Sequence, residues 1–321
     1  MKTINFVGNR NKFFILSSVL ILIIILFSFL FGVQLDVQFK GGTILKYTYS
    51  GEIDTSKVES TVEKASGMEA SIQSANDSLT GEMRLVVTLP SSTGLTAEEQ
   101  DAITESLKQN FADNSIEVLE ISNVDAAIGR EFLMKCLVAV SAAFILMIIY
   151  IAFRFKKIGG LSAGVMGVIA LMHDAIMVFG VFVIFRIPLN DNFIAVVLMI
   201  LGYSINDTIV VYDRIRENKR LLGPKVPVAE LVNTSINETL TRSLNTSIST
   251  IIALSTICVV TVVCGVSSII SFAFPMLVGM ISGVYSTIFI AGPLWVTWIE
   301  HKEKKILEKK AGGKGPEKGK K

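Results

Sequence analysis

Histidine and cysteine are scarce in this chain, and each shortage removes a class of function. Only 2 histidines, His173 and His301, occur among 321 residues. None lies between Leu35 and Asp125, so that stretch has no Ser/His/Asp or Cys/His constellation for nucleophilic catalysis. The 3 cysteines, Cys136, Cys258 and Cys264, sit in apolar stretches and form no C-x-x-C pair. That argues against a disulfide framework or a zinc site and makes them small core residues. No Gly-rich loop of P-loop form is present, so no ATP site is visible and no enzymatic site is expected. The first apolar run lacks an A-x-A-like cleavage site after it and is longer than a signal-peptide core. It therefore reads as an uncleaved signal-anchor.

What the chain has in abundance is long apolar runs. Hydrophobic residues make up 51% of it and the mean hydropathy is +0.57, which places it among integral membrane proteins. The runs fall at 13–33, 132–153, 161–185, around Val196 to Tyr212, 244–266 and 270–299, giving six spans. Charge is sorted between them: from Asp36 to Arg130 there are 16 acidic and 7 basic residues, whereas Lys dominates after Trp298. Arg154, Lys156 and Lys157 follow the second span, a single Arg186 separates the third and fourth, and Arg214, Arg216, Lys219, Arg220 and Lys225 follow the fourth. The positive-inside rule then puts both termini in the cytoplasm. The divisions are a cytoplasmic N-terminus (1–12), a first span (13–33), an extracytoplasmic α+β domain (34–130), spans two to six (131–300) with a cytoplasmic loop at 213–243, and a basic cytoplasmic tail (301–321), expected to be irregular from Lys302. The fourth-span helix is expected to end at Asp213, and Val228 to Leu244 to form an amphipathic helix that merges into the fifth span.

Within 34–130 the polarity is that of a soluble domain. Residues 43–49 alternate as a strand, 55–65 suit a helix, and 68–74 and 83–89 read as two further strands. Thr96 with Glu99 three residues on is a capping-box pattern opening a second helix that runs to about Asn110, and 115–121 closes the series as a strand. The order βαββαβ predicts a ferredoxin-like domain. The fold class expected is thus a polytopic α-helical membrane protein with six transmembrane helices and a ferredoxin-like extracytoplasmic domain between the first two.

One stretch, from Ile200 to Asn218, places a carboxylate inside a span. Tyr203, Ser204, Asn206, Asp207 and Thr208 interrupt an otherwise apolar helix, and an Asp at a helix centre costs about 2.5–3.5 kcal/mol on insertion scales. The opposite charge available is Arg242 at the entrance of the fifth span, with Thr246 and Ser249 on its face. A carboxylate, a guanidinium and hydroxyls on facing helices suit a proton site, and one proton crossing 100 mV releases about 2.3 kcal/mol. A static ion pair joining two spans explains the same residues, and the choice stays open at this level. His173 and Asp174 on the third span pose the same question; as neighbours they point about 100° apart, which favours a structural place near an interface. Asn206, Tyr203, His173, Asp174 and Ser249 are supporting polar candidates. Gly160-x-x-x-Gly164 and Gly279-x-x-x-Gly283 permit close helix contact.

Gly202-Tyr203-Ser204-Ile205-Asn206-Asp207-Thr208, followed by Asp213-Arg214-Ile215-Arg216-Glu217-Asn218, resembles the signature of the SecF family of protein-export membrane subunits. That family belongs to the SecD/SecF group of the resistance-nodulation-division superfamily. Ala170-Leu171-Met172-His173-Asp174, Asn233-Thr234-Ser235-Ile236-Asn237-Glu238-Thr239 with Arg242 and Thr246, Gly283-Val284-Tyr285-Ser286, and Phe39-Lys40-Gly41-Gly42-Thr43 extend the likeness in matching order. Gln38 and Asp125-Ala126 depart from it, where the family usually has Asp and Gly-Pro. The resemblance implies proton conduction through Asp207, Arg242 and Thr246 to power late steps of Sec-dependent export, with no cofactor beyond the proton gradient and sodium not excluded. It also implies SecD, the SecYEG channel with SecA, YidC/YajC-type accessory proteins and exported unfolded polypeptide as partners, and no nucleic acid. A noncatalytic scaffold and a proton-coupled small-molecule exporter are the rival readings.

Overall fold

The computed structural model describes residues 4–76, 83–91, 94–223, 225–264 and 267–312. Gly223-Pro224 and 265–268 mark turns in the sequence, and parts of both, with the tail beyond Gly312, fall outside them. In chain order the elements are α1 (Arg10–Phe31), α2 (Val37–Lys40), β1 (Gly42–Tyr49), α3 (Thr55–Ser66), β2 (Ser71–Asn76), β3 (Met83–Pro90), α4 (Ala97–Asn110), β4 (Glu117–Val124), α5 (Ala126–Arg154), α6 (Gly160–Ile184), α7 (Asp191–Leu222), α8 (Val228–Val263), α9 (Ser267–Ser286) and α10 (Gly292–Gly312). A π-helical turn at Thr287–Ala291 joins the last two. Among the described residues, six helical segments are long and apolar enough to cross a membrane: α1, α5, α6, α7, α8 and the continuous stretch Ile269–Lys309. The chain is a multi-pass membrane protein.

Between α1 and α5 lies a four-stranded sheet of order β2-β3-β1-β4, every neighbouring pair antiparallel. Alternation along β1 and β3 buries Leu45, Tyr47, Leu85, Val87 and Leu89 under Val58 and Val62 of α3 and Ile103 and Leu107 of α4. Each helix starts where its sequence offers a cap. Asp54 accepts from Ser56 and Lys57 N–H, and Thr96 and Glu99 form the reciprocal capping box. The strand expected at 68–74 begins later, at Ser71, because Gly67 closes α3 in the left-handed region (φ 67°) and Glu63 Oε1 accepts from Ala70 N–H at 3.3 Å.

Two expectations for the helical half need correction. The fourth-span helix does not stop at Asp213, where the loop 213–243 is expected to begin, but runs on to Leu222; α8 starts at Val228 and continues into the fifth span, as expected for the amphipathic helix. Asp213, Arg214, Arg216 and Glu217 end the apolar stretch without ending the helix, because they pair at i,i+3 as Arg214–Glu217 (2.7 Å) and Arg216–Asp213 (2.6 Å). The tail from Lys302 likewise continues α10 to Gly312, its Glu, Lys and Leu being strong helix formers.

In the bundle, α6, α7 and the Ile269–Lys309 helix are the most buried, and α1, α5 and α8 lie outside them. The small-residue spacings mark the tight crossings. A Cβ on Gly164 would come within 3.1 Å of Ile148 O on α5, and one on Gly279 would fall onto Ile200 Cδ1 of α7. The sheet domain sits at one end of the bundle, where Asp36 N–H donates to Leu189 O at 2.9 Å and Asp125 caps α5 by accepting from Ala127 N–H at 2.7 Å. The other end gathers the N-terminal residues, the α5–α6 turn and the start of α8. There Asn233 Oδ1 accepts from Phe6 N–H at 2.8 Å, and Arg154 donates to Asp213 at 3.2 Å.

Candidate functional site

The middle of the bundle holds two buried carboxylates on adjacent helices. Asp174 of α6 is fully buried, and three hydroxyls reach it from two other helices. Ser204 of α7 donates to Oδ2 at 2.8 Å, Ser286 of α9 to the same oxygen at 2.7 Å, and Ser282 of α9 to Oδ1 at 2.6 Å. Gly283 makes this approach feasible: a Cβ there would lie 3.2 Å from Ser204 Cβ and 3.8 Å from Asp174 Oδ2. His173 Nδ1 completes the shell, 3.3 Å from Asp174 Oδ1. The place near an interface expected for this pair gives way to the bundle core, where the side chains bend toward one another despite their separation along α6.

Asp207, one turn beyond Ser204, is 5% exposed. Its hydrogen-bond partner among the described residues is Ser247 of α8, at 3.4 Å from Oδ2. An ionised carboxylate offers about four lone-pair sites, so Asp207 is far less compensated than Asp174. On α8, Ser243 Oγ, one turn before Ser247, is buried without a hydrogen-bond partner among the described residues.

The fold does not bring Arg242 or Thr246 into hydrogen bonding with Asp207. Both are exposed on α8, and Thr246 Oγ1 instead donates to Arg242 O at 3.0 Å. Tyr203 tethers α7 to the same region through its hydroxyl, 2.9 Å from Thr250 Oγ1. Asn206 is exposed on α7 and Ser249 on α8, where Ser249 Oγ donates to Asn245 O at 2.9 Å. Asn206, Arg242, Asn245, Thr246 and Ser249 thus leave polar groups uncovered on helices that cross a membrane.

Sequence reading missed the hydroxyl donors Ser247, Ser282 and Ser286. The signal was present in part: Ser282 and Ser286 recur four apart beside Gly279 and Gly283, also four apart, so hydroxyls and gaps alternate on one side of α9. Directly after Ser286 the helix widens into its π turn, ahead of Pro293, which has no N–H to return to the preceding turn. Such turns often accompany functional sites. No group of three or more His, Cys, Asp or Glu able to hold a metal occurs among the described residues.

This constellation lies within the segment 103–301, which matches the family model described as protein export membrane protein SecD/SecF, C-terminal. The chain belongs to the SecD/SecF family. Among SecD/SecF proteins it is 34% identical to a protein translocase subunit SecF of Petrotoga mobilis, over 95% of this chain and 99% of that one. It is 31% identical to SecF of Pseudomonas aeruginosa, over 92% of each. The SecDF of Bacillus subtilis is 32% identical over 94% of this chain, which spans 39% of that longer protein. The crystal structure of SecDF from Thermus thermophilus, described as a translocon-associated membrane protein, superposes with a TM-score of 0.76 at 30% identity, over 93% of this chain and 39% of that one.

Proposed function

We propose that the chain is a SecF-type protein translocase subunit of the bacterial cytoplasmic membrane that couples the proton-motive force to late steps of Sec-dependent export. The observation that carries this reading is the pairing of an under-compensated buried carboxylate, Asp207, with an uncovered polar stripe containing Asn206, Arg242, Thr246 and Ser249. Polar side chains within a span seek protein or water, so the stripe calls for a second helical body against α7 and α8. SecDF relatives, in which this chain accounts for 39% of the length, support SecD as that body. Asp207 is the proton carrier, and Arg242 and Thr246 are groups that swing toward it in another state of the cycle; sodium is the alternative ion.

The sheet domain is read as a ferredoxin-like fold on the outer face, a reading supported by its antiparallel order β2-β3-β1-β4. It moves with the bundle to draw or release unfolded polypeptide leaving SecYEG and SecA, with YidC/YajC-type proteins as accessories. Both termini lie in the cytoplasm, consistent with the basic cluster around the α5–α6 turn. The test is proton-motive-force-dependent export of a precursor by vesicles carrying the wild-type chain or Asp207→Asn, with assembly with SecD followed in parallel. Lost stimulation with intact assembly supports the motor; persistent stimulation makes the carboxylate structural and leaves a scaffold.

A further inference from the structure

The buried histidine has a feature that the coupling just described leaves unused. We propose that His173 and Asp174 form a second proton-binding site in the membrane core, the proton residing on the imidazole or on the carboxylate. The site deepens the proton-coupling reading and rests on it for its use, not for its titration.

The shell of Asp174 fits both states. With the carboxylate ionised, Oδ2 accepts from Ser204 and Ser286 and Oδ1 from Ser282 and His173, which fills its acceptor sites. Among the described residues no other cationic side chain is paired with it, so the charge balance of a fully buried carboxylate falls to His173. With the proton on Asp174 Oδ2, one neighbouring hydroxyl must accept instead of donate. Ser286 can do so without leaving its own proton stranded, because Gly283 O lies 3.2 Å from its Oγ. Rotation of that one hydroxyl exchanges the two arrangements.

The second observation is the orphaned nitrogen. His173 is 6% exposed and its Nε2 has no hydrogen-bond partner among the described residues, an arrangement that a purely structural histidine avoids. Nε2 is the position where a proton arrives or departs when α6 and α9 shift. The titratable groups packed around the pair are few. Tyr285 of α9 stacks at 5.8 Å between ring centroids, with its hydroxyl donating to Phe13 O at 2.8 Å. On α7, Asp207 bonds to Ser247 and Tyr212 donates to Ala163 O. No charged side chain of α1, α5 or α10 hydrogen-bonds or ion-pairs with either residue among those described.

Because the chain has only 2 histidines, the site can be observed directly. In the full-length protein carrying His301→Gln, reconstituted in lipid nanodiscs, nitrogen NMR of labelled histidine reports His173 alone. The expected result is that the imidazole signal passes from one protonation form to the other as the pH is changed. Asp174→Asn should move the point at which it does so, because the two side chains are in direct contact. A His173 that keeps one form throughout, or a midpoint unmoved by Asp174→Asn, overturns the proposal. Should the Asn variant fail to assemble, the wild-type titration decides by itself. Failure of Asp207→Asn to affect export would leave these spectra unchanged, so the two readings fall separately.

Discussion

Ser204 and Asp207 stand one turn apart on α7 and address different helices: Ser204 donates to Asp174 of α6 at 2.8 Å, whereas Asp207 accepts from Ser247 of α8 at 3.4 Å. A single turn of α7 therefore connects a fully satisfied carboxylate to one that is barely satisfied. Rotating or sliding α7 changes both at once, because the two side chains share one rigid backbone segment.

A static Asp207–Arg242 ion pair and a moving one predict different stabilities. Arg242 is exposed and unpaired with Asp207, so Arg242→Ala should change the thermal stability of the isolated chain by no more than about 0.5 kcal/mol. The same variant should abolish proton-driven export. A large loss of stability would instead mark the arginine as structural.

The two glycines of α9 should respond differently to alanine. Either replacement gains up to about 1 kcal/mol of helix propensity. At Gly279 the new Cβ collides with Ile200 and lies 2.8 Å from Val178 Cγ2, an overpacking cost of about 1–3 kcal/mol that wins. At Gly283 the nearest atom is Ser204 Cβ at 3.2 Å, so the terms nearly cancel. Thermal unfolding in detergent should rank Gly279→Ala clearly below Gly283→Ala.

Asp36 makes the junction between the sheet domain and the bundle sensitive to pH. Burial pushes its carboxyl above the ordinary range, and Asp191 nearby adds to the rise against the N–H of Gln38, which lowers it. A raised native value means that the proton stabilises the fold. Its contribution is complete below the unfolded value of about 3.9 and is lost as pH rises through the native one. Amide exchange in α2 should accordingly accelerate with rising pH beyond its intrinsic dependence, and Asp36→Asn, which keeps the cap, should flatten that excess.

The N-terminal segment should loosen on loss of one asparagine. Asn233 Oδ1 accepts from Phe6 and Val7 N–H at 2.8 and 3.3 Å and its Nδ2 donates to Ile4 O at 3.1 Å. Asn233→Ala should cost about 1–3 kcal/mol by leaving backbone groups near buried Phe6 and Val7 unsatisfied. Asn237→Ala, whose bonds to Ile4 are exposed, should cost less. Hydrogen exchange at residues 4–7 distinguishes the two.

Six spans were legible because twenty apolar residues in a row have few other solutions, and the order βαββαβ because alternation and the Thr96/Glu99 box are local signals. The ends of α7 and α10 were not: charge marks where a membrane stops, while the helix itself continues for as long as Glu, Lys and Arg can pair along it. Asp207 stood out as a charge among apolar residues. The shell of Asp174 did not, because Ser204, Ser282 and Ser286 lie 30 residues or more away from it, at 30, 108 and 112, and serine in a span is unremarkable until a fold aims it.

The asparagine clamp on the N-terminus also sets an order of manufacture. Phe6 is held by a residue 227 positions later, so a growing chain completes α1 and folds the sheet domain well before its own beginning has anything to hold it. Until α8 emerges, the residues before α1 lack their clamp, although α1 itself already has α6 to pack against at Ile24 and Gly180. The last step of assembly is then the return of the chain to its start.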